Sequence, residues 1–346
     1  MEASKARRRS GNSKLDKVAF MRKSWLIALV IGICIFSNDR ASAWGPEGHA
    51  AIALIAEGLL SSNTEATAHN LLAQGGDKDL VSIASWADLV LSAAHREGPL
   101  RENHEAAEFN RTFPKSAMWH YVNIPLGAVS YEDARNFVDG ENVIHAIEGC
   151  IRTLESSAPA PNDLTKVQAL RLLVHFVGDI HQPLHCGTGF YSFTDGEAAR
   201  LVTVPAEAIG KPSDRGGNLL FYDSSPIDQL HALWDRVLVE NIDHDIDYRV
   251  LADYLRRNYL PKVTQITPGD YHLWARVWAI DSVKVANLAY SGIKFGVAEF
   301  DANGRPTSIA VTLPANYIEV NRARAAQQLV KAGVHLAQLL NAIQWR

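Results

Sequence analysis

The sequence predicts a mainly α fold in a single domain with one small β-hairpin, and three observations predict it. Apolar residues recur at helical spacing through most of the chain from Ala50 onward. One segment shows strand patterning on both sides of a turn. No internal repeat, heptad run or low-complexity linker divides the chain after residue 43. Composition agrees, because 346 residues with 47% hydrophobic and 21% charged content can bury a substantial core. That balance excludes a disordered, collagen-like or multi-span membrane protein.

The elements follow in order. Helical stretches cover about 50–60, 80–94, 142–155, 165–180, 226–240, 248–257, 274–291 and 319–343. The last is the clearest, with Ala325, Leu329, Ala332, Leu336, Leu339 and Leu340 on one face and Lys331 and His335 on a more polar one. Residues 156–162, with Pro159 and Pro161, read as a loop between helices. Residues 296–313 read as the hairpin, because two strand-like runs flank the turn residues Asp301 to Gly304.

The first 43 residues are an address rather than part of this fold. They hold nine Lys or Arg against three acidic residues, net +6, whereas the remainder has 25 basic against 35 acidic residues, net -10. Arg22 and Lys23 precede an apolar run from Trp25 to Phe36, followed by Ala41-Ser42-Ala43. A membrane span needs about 20 apolar residues, so this shorter run ending in an A-x-A site predicts a signal peptide over 1–43. Met21 is an alternative start, since residues 21–43 alone make a compact signal. Cleavage leaves residues 44–346, beginning at Trp44, without a membrane anchor and bound for secretion or the periplasm. Cys150 and Cys186 then remain, and sequence leaves open whether they pair.

The placement of His and Asp carries the chemistry. His175 and Asp179 stand four apart in an apolar helical stretch and so share a face. Pro183 is expected to end that helix and turn His185 back toward the same region. His231 and Asp235 repeat the spacing. Imidazole with carboxylate suits Zn²⁺, and two such pairs suggest more than one metal. At the new N-terminus Trp44 offers an amine and a carbonyl that can chelate a metal, with His49 five residues on. Asp88 and His120 lie in apolar segments where an unpaired charge is costly, which makes them further ligand candidates.

The acidic body would repel any polyanion unless bound cations reverse the field locally. Trp44-Gly-x-x-Gly-His49, Ser85-Trp-Ala-Asp88, the block from His175 to His185, His231-x-x-x-Asp235 and Asp214-Arg-Gly-Gly-Asn218 together resemble one family. It is the secreted zinc-dependent single-strand nucleases and 3′-nucleotidases, the S1/P1 class of the phospholipase C/nuclease superfamily. The resemblance runs from Trp44 to about Asn341, with Trp278-Ala-Ile-Asp-Ser and Lys331-Ala-Gly as lesser features. It implies three zinc ions. Asp88, His120, His175 and Asp179 would hold one; the Trp44 amine and carbonyl, His49 and a bridging Asp179 a second; His185, His231 and Asp235 the third. It implies hydrolysis of RNA and single-stranded DNA at the P–O3′ bond, with 3′-nucleotidase activity on mononucleotides and no stable protein partner. Water held between the first two metals would be the nucleophile, and six positive charges in one cleft would answer the acidic body.

The chain departs from the family pattern at two places. Leu91 stands where an Arg or Lys usually meets the scissile phosphate; Arg96 and Arg215 are the candidate replacements, or plain surface cations. Asn123 stands where a base-reading Asp is usual, and Tyr121 takes the position of a base-stacking aromatic, with a core aromatic as the other reading. A zinc phospholipase C, in which the first His follows the Trp at a longer interval and the last ligand is usually Glu, is one alternative; a catalytically silent zinc-binding protein is the other. His181 is read as lying behind the ligands or on the surface, and His69, His95, His104, His145, His244 and His272 as solvated. Cys186 reads as a small buried hydrophobe, and Asn110-Arg-Thr112 as a conditional glycosylation sequon.

Overall fold

Helix α1 (Gly45–Glu57) starts one residue after Trp44, which takes a left-handed backbone (φ 43°) and is buried. A computed structural model describes residues 44–158, 163–222, 228–243, 247–263 and 266–346, so the segment 1–43 expected to be a signal peptide, Pro159 to Asn162, His244 and residues 226–227 lie outside it. The described residues fall in one compact unit. Mainly helical architecture is confirmed, and nearly the whole hydrophobic core is one contiguous cluster from Trp44 to Ile343.

Two helices escape the apolar-periodicity reading. Helix α2 (Ser62–Gln74) buries only Thr64, Ala68 and Leu72, and α5 (His104–Thr112) only Ala106 and Phe109, stripes too narrow to stand out. Their local signals are the caps: Ser61 accepts from Thr64 N and Asn103 from Ala106 N. The predicted helix over 80–94 is two helices, α3 (Leu80–Ile83), with an Asp79 capping box, and α4 (Trp86–Ala94). At the break the Ala84 carbonyl accepts from His175 Nδ1.

Helices α6 (Val143–Glu155) and α7 (Lys166–Asp179) pack together, and α7 also meets α1, α3 and α4. Arg171 of α7 is buried, with Asp77 at 2.7 Å and Glu105 at 2.6 Å, and its guanidinium lies 5.0 Å over the Trp86 ring. A buried cation so paired holds the segment before α3 and the starts of α4 and α5 onto α7. The role expected of Pro183 is corrected. Helix α7 ends at Asp179, and Pro183 opens the one-turn helix α8 (Pro183–Cys186), where proline's missing N–H costs nothing.

The sheets are small. Strand β1 (Ile124–Pro125) pairs in parallel with β2 (Gly187–Thr188), and β3 (Phe190–Ser192) antiparallel with β4 (Arg200–Val202). A short helix, α9 (Pro205–Ala208), follows. The predicted hairpin forms as β6 (Lys294–Phe300) and β7 (Pro306–Thr312), and β7 gains a parallel neighbour in β5 (Leu220–Phe221). The predicted helix over 226–240 becomes α10 (Leu230–Ala232), a π turn (Leu233–Val237) and α11 (Leu238–Asp243). Helices α12 (Tyr248–Asn258), α13 (Trp274–Tyr290) and α14 (Tyr317–Ala342) complete the domain, with α14 and α12 against α1 and α13 against α8.

Cys150 and Cys186 are both buried and free, so they form no disulfide. His181 is buried, not on the surface: it faces away from Asp179 toward His335, 2.7 Å away. Three other histidines read as solvated have partners. His69 meets Glu57, His145 meets the Gly140 carbonyl, and His272 meets Glu155 and Asp270. Asn110 is half-buried in α5 and donates to the Val90 carbonyl, a poor acceptor geometry for a glycan. Among the described residues no helix is long and apolar enough to cross a membrane.

Candidate metal centre

Asp179 ends α7 with its carboxylate fully buried, and two groups of residues converge on its two oxygens. His49 Nε2 lies 3.4 Å from Oδ1, while His120 Nδ1 at 2.9 Å and His175 Nε2 at 3.4 Å face Oδ2. Asp88, in the first turn of α4, places Oδ1 3.4 Å from His175 Nε2 and 3.7 Å from His120 Nδ1. The His49 and His175 rings stack with centroids 3.9 Å apart. This stacking needs a glycine at 178, because a Cβ there would come within 2.7 Å of His49 Nδ1.

A third group forms beside them. Val122 N donates to the His185 carbonyl and His185 Nδ1 to the His120 carbonyl, both at 2.7 Å, so the strand pair β1–β2 continues a zipper that brings His120 and His185 together. His231 Nδ1 donates to the Gly216 carbonyl at 2.7 Å, and His231 Nε2 lies 3.4 Å from Asp235 Oδ2 and 3.2 Å from His185 Nε2. Gly216 has φ 63°, and a Cβ on it would lie 2.1 Å from the Leu184 carbonyl, so only glycine lets that loop reach His231. Three sets are therefore assembled, each with ligand atoms within 4.8 Å of one another: His49, His175 and Asp179; Asp88, His120 and His175; His185, His231 and Asp235.

Their electrostatics suit the binding of cations. Among the described residues, the buried side-chain polar atoms that make no hydrogen bond all belong to these sets: His49 Nδ1 and Nε2, His175 Nε2, both Asp179 oxygens and Asp235 Oδ2. Such orphaned groups are costly unless something else satisfies them. Burial opposes ionisation of Asp179, but His175, His120 and His49 hold it well below the usual carboxylate range. Asp88 is likewise resisted by burial and held low by His175 and His120. Burial also opposes charge on His175, yet Asp179 and Asp88 raise it well above the usual imidazole value. In the third set burial wins. It lowers His185, lowers His231 to about 3 and raises Asp235 well above the carboxylate range. Imidazole nitrogens and carboxylate oxygens, with the far ring nitrogen of three histidines tied to main-chain carbonyls, form a donor set that fits Zn²⁺.

All eight side chains expected as ligands are thus brought together. Trp44 lies beside them: its indole Nε1–H donates to the Gly178 carbonyl at 3.0 Å, and its own carbonyl accepts from Gly48 N at 3.2 Å. Tyr121 is 38% exposed, which rules out the core-aromatic reading. Asn123 is half-buried and its Oδ1 accepts from Thr188 Oγ1. Leu91 is half-buried in α4, and Arg96 and Arg215 are exposed with left-handed backbones.

Two residues were missed as parts of the site. Gln182 donates from Nε2 to Asp235 Oδ1 at 2.6 Å and accepts from Leu184 N. Asp214 is buried, accepts from Tyr191, Tyr290, Gly189 N and Gly217 N, and so holds the loop that presents the Gly216 carbonyl; burial lifts it to about 6. The signal for Gln182 is a side chain that can cap a helix beginning with proline; for Asp214 it is an acid two residues before the pair Gly216-Gly217.

A family model described as S1/P1 Nuclease matches residues 44–344, a span holding every residue of the three sets. Endonuclease 1 of Arabidopsis thaliana is 27% identical over 352 aligned positions, covering 93% of this chain and 94% of that protein. Nuclease S1 of Aspergillus oryzae is 29% identical over 181 positions, 48% of this chain and 56% of its own length. Nuclease P1 of Penicillium citrinum is 33% identical over 150 positions, 41% and 47% respectively.

Proposed function

The chain belongs to the S1/P1 nuclease family, and on that premise we propose that it is a three-zinc phosphodiesterase acting on RNA and single-stranded DNA. It cleaves the P–O3′ bond to leave 5′-phosphorylated products and removes the phosphate of 3′-mononucleotides. The observation that carries the reading is Asp179, whose two buried oxygens face two different histidine sets. One carboxylate in that position can serve two metals, which suits phosphate ester hydrolysis.

Asp88, His120, His175 and Asp179 would hold one zinc. His49, Asp179 and the amine and carbonyl of Trp44 would hold a second, and His185, His231 and Asp235 the third. Bound zinc supplies positive charge for the phosphate and a lowered pKa for water. The Trp44 amine is a ligand only after cleavage behind Ala43, and the indole bond to Gly178, next to Asp179, supports its nearness to the site. That cleavage makes the protein a secreted or periplasmic one. Tyr121 offers an exposed ring face on which a base stacks, and Asn123 offers an amide beside it for the base edge. No side-chain nucleophile takes part.

The test is hydrolysis by purified residues 44–346 of single-stranded DNA, RNA, 3′-AMP and phosphatidylcholine, with chelator and with zinc restored. Chelator-sensitive release of 5′-nucleotides is expected. Activity on the lipid alone, or zinc binding with no turnover, would overturn the proposal.

A further inference from the structure

Resting on the three-zinc reading, we propose that Gln182 is the positioning residue that makes the His185–His231–Asp235 set a metal site, and that it acts on that set alone. It is fully buried between α7 and α8, and each end of its amide has a different task. Its Oε1 accepts from Leu184 N and so caps α8, the single turn that carries His185. Its Nε2 donates to Asp235 Oδ1 at 2.6 Å.

The consequence for Asp235 is geometric. With Oδ1 taken by the amide, the carboxylate turns Oδ2 toward His231 Nε2, and Oδ2 is the atom left without a hydrogen bond. One side chain thereby joins two ligands that lie 50 residues apart in sequence, His185 and Asp235. Neither Gln182 bond reaches the Asp179 sets.

Two substitutions separate the parts of this argument. Gln182→Glu keeps the shape and an acceptor for Leu184 N but sets a second carboxylate against Asp235. Gln182→Met keeps the volume and removes both bonds. The readout is bound zinc per chain by elemental analysis after titration against a competing chelator, with circular dichroism to confirm the helical fold. Wild-type protein binding three zinc ions is the control for the underlying reading, and any other stoichiometry there would overturn that reading rather than the role of Gln182. Both variants are expected to keep two zinc ions at wild-type affinity and to bind the remaining one about 10- to 100-fold more weakly. Three ions bound at wild-type affinity would overturn the assignment. So would loss of all three together, whether through unfolding or collapse of the whole centre, because Gln182 would then be a general structural residue.

Discussion

His185 and His231 present their Nε2 atoms to each other at 3.2 Å, while each Nδ1 donates to a main-chain carbonyl, of His120 and of Gly216. A carbonyl can only accept, so both protons sit on Nδ1 and two nitrogen lone pairs face each other. Burial keeps both rings neutral, and no proton is gained to separate them. A bound cation converts that repulsion into ligation. Chelator treatment should therefore lower the thermal unfolding temperature of residues 44–346, and zinc should restore it. Free zinc at about 1,000 times Kd contributes about 4 kcal/mol per site. Equal unfolding temperatures with and without chelator would refute the metal assignment.

Asp179 and Asp235 should differ in how many metals they control. Asp179 faces both His49 and the His120–His175 pair, whereas Asp235 meets His231 and Gln182. Asp179→Asn is expected to leave one zinc of three and Asp235→Asn to leave two. Each should reduce nuclease turnover by more than about 100-fold, the upper range for a group that only orients a ligand. Identical zinc contents in the two variants would show that Asp179 is not shared.

One residue placed before Trp44 in the processed protein should cost most of the activity, since a peptide nitrogen cannot replace an amine as ligand. The comparison is between residues 44–346 with Trp44 first and the same chain with one added alanine. Equal rates would remove Trp44 from the metal site.

Tyr121 should affect binding more than chemistry. Its ring is 38% exposed beside His120, and stacking of a base on such a ring contributes about 1–3 kcal/mol. Tyr121→Ala should raise KM for single-stranded DNA by about 10-fold with kcat nearly unchanged. A fall in kcat at constant KM would place the ring elsewhere in the mechanism.

His272 provides a pH-dependent clasp whose partners, Glu155 and Asp270, are not candidate ligands. Its bonds to Glu155 and Asp270 outweigh desolvation and raise it above 6.5, and Glu155 also accepts from Gln344 N near the C-terminus. A raised imidazole stabilises the fold fully below 6.5 and loses that contribution as pH rises through its raised value. The urea midpoint of wild type should exceed that of His272→Gln at about pH 5.5, and the gap should close by about pH 9. A gap independent of pH would mean that the charge on His272 does not matter.

Features that depend on near neighbours along the chain were legible in the residues alone. His175 with Asp179 and His231 with Asp235 are pairs at helical spacing, so the helix alone puts each pair on one face. The broad helical stretches and the hairpin were legible for the same reason. The two polar helices were not, because α2 and α5 bury too few apolar side chains to show a period. The parallel pairing of Leu220 with Ile309 was not either, since nothing local specifies a partner so far along the chain.

How the pairs become sites follows from contacts between elements distant in the chain. Packing of α1 on α7 over Gly178 sets His49 against Asp179, and the β1–β2 zipper delivers His120 and His185 to the same place. The carbonyls of Ala84, His120 and Gly216 then fix which nitrogen each histidine turns inward. The Gln182 contact with Asp235 likewise spans 53 residues. Sequence patterning records which face a side chain occupies, because that follows from backbone period. Which buried groups meet across elements follows from close packing and from the need to satisfy every buried polar atom, and these act only once the chain has folded.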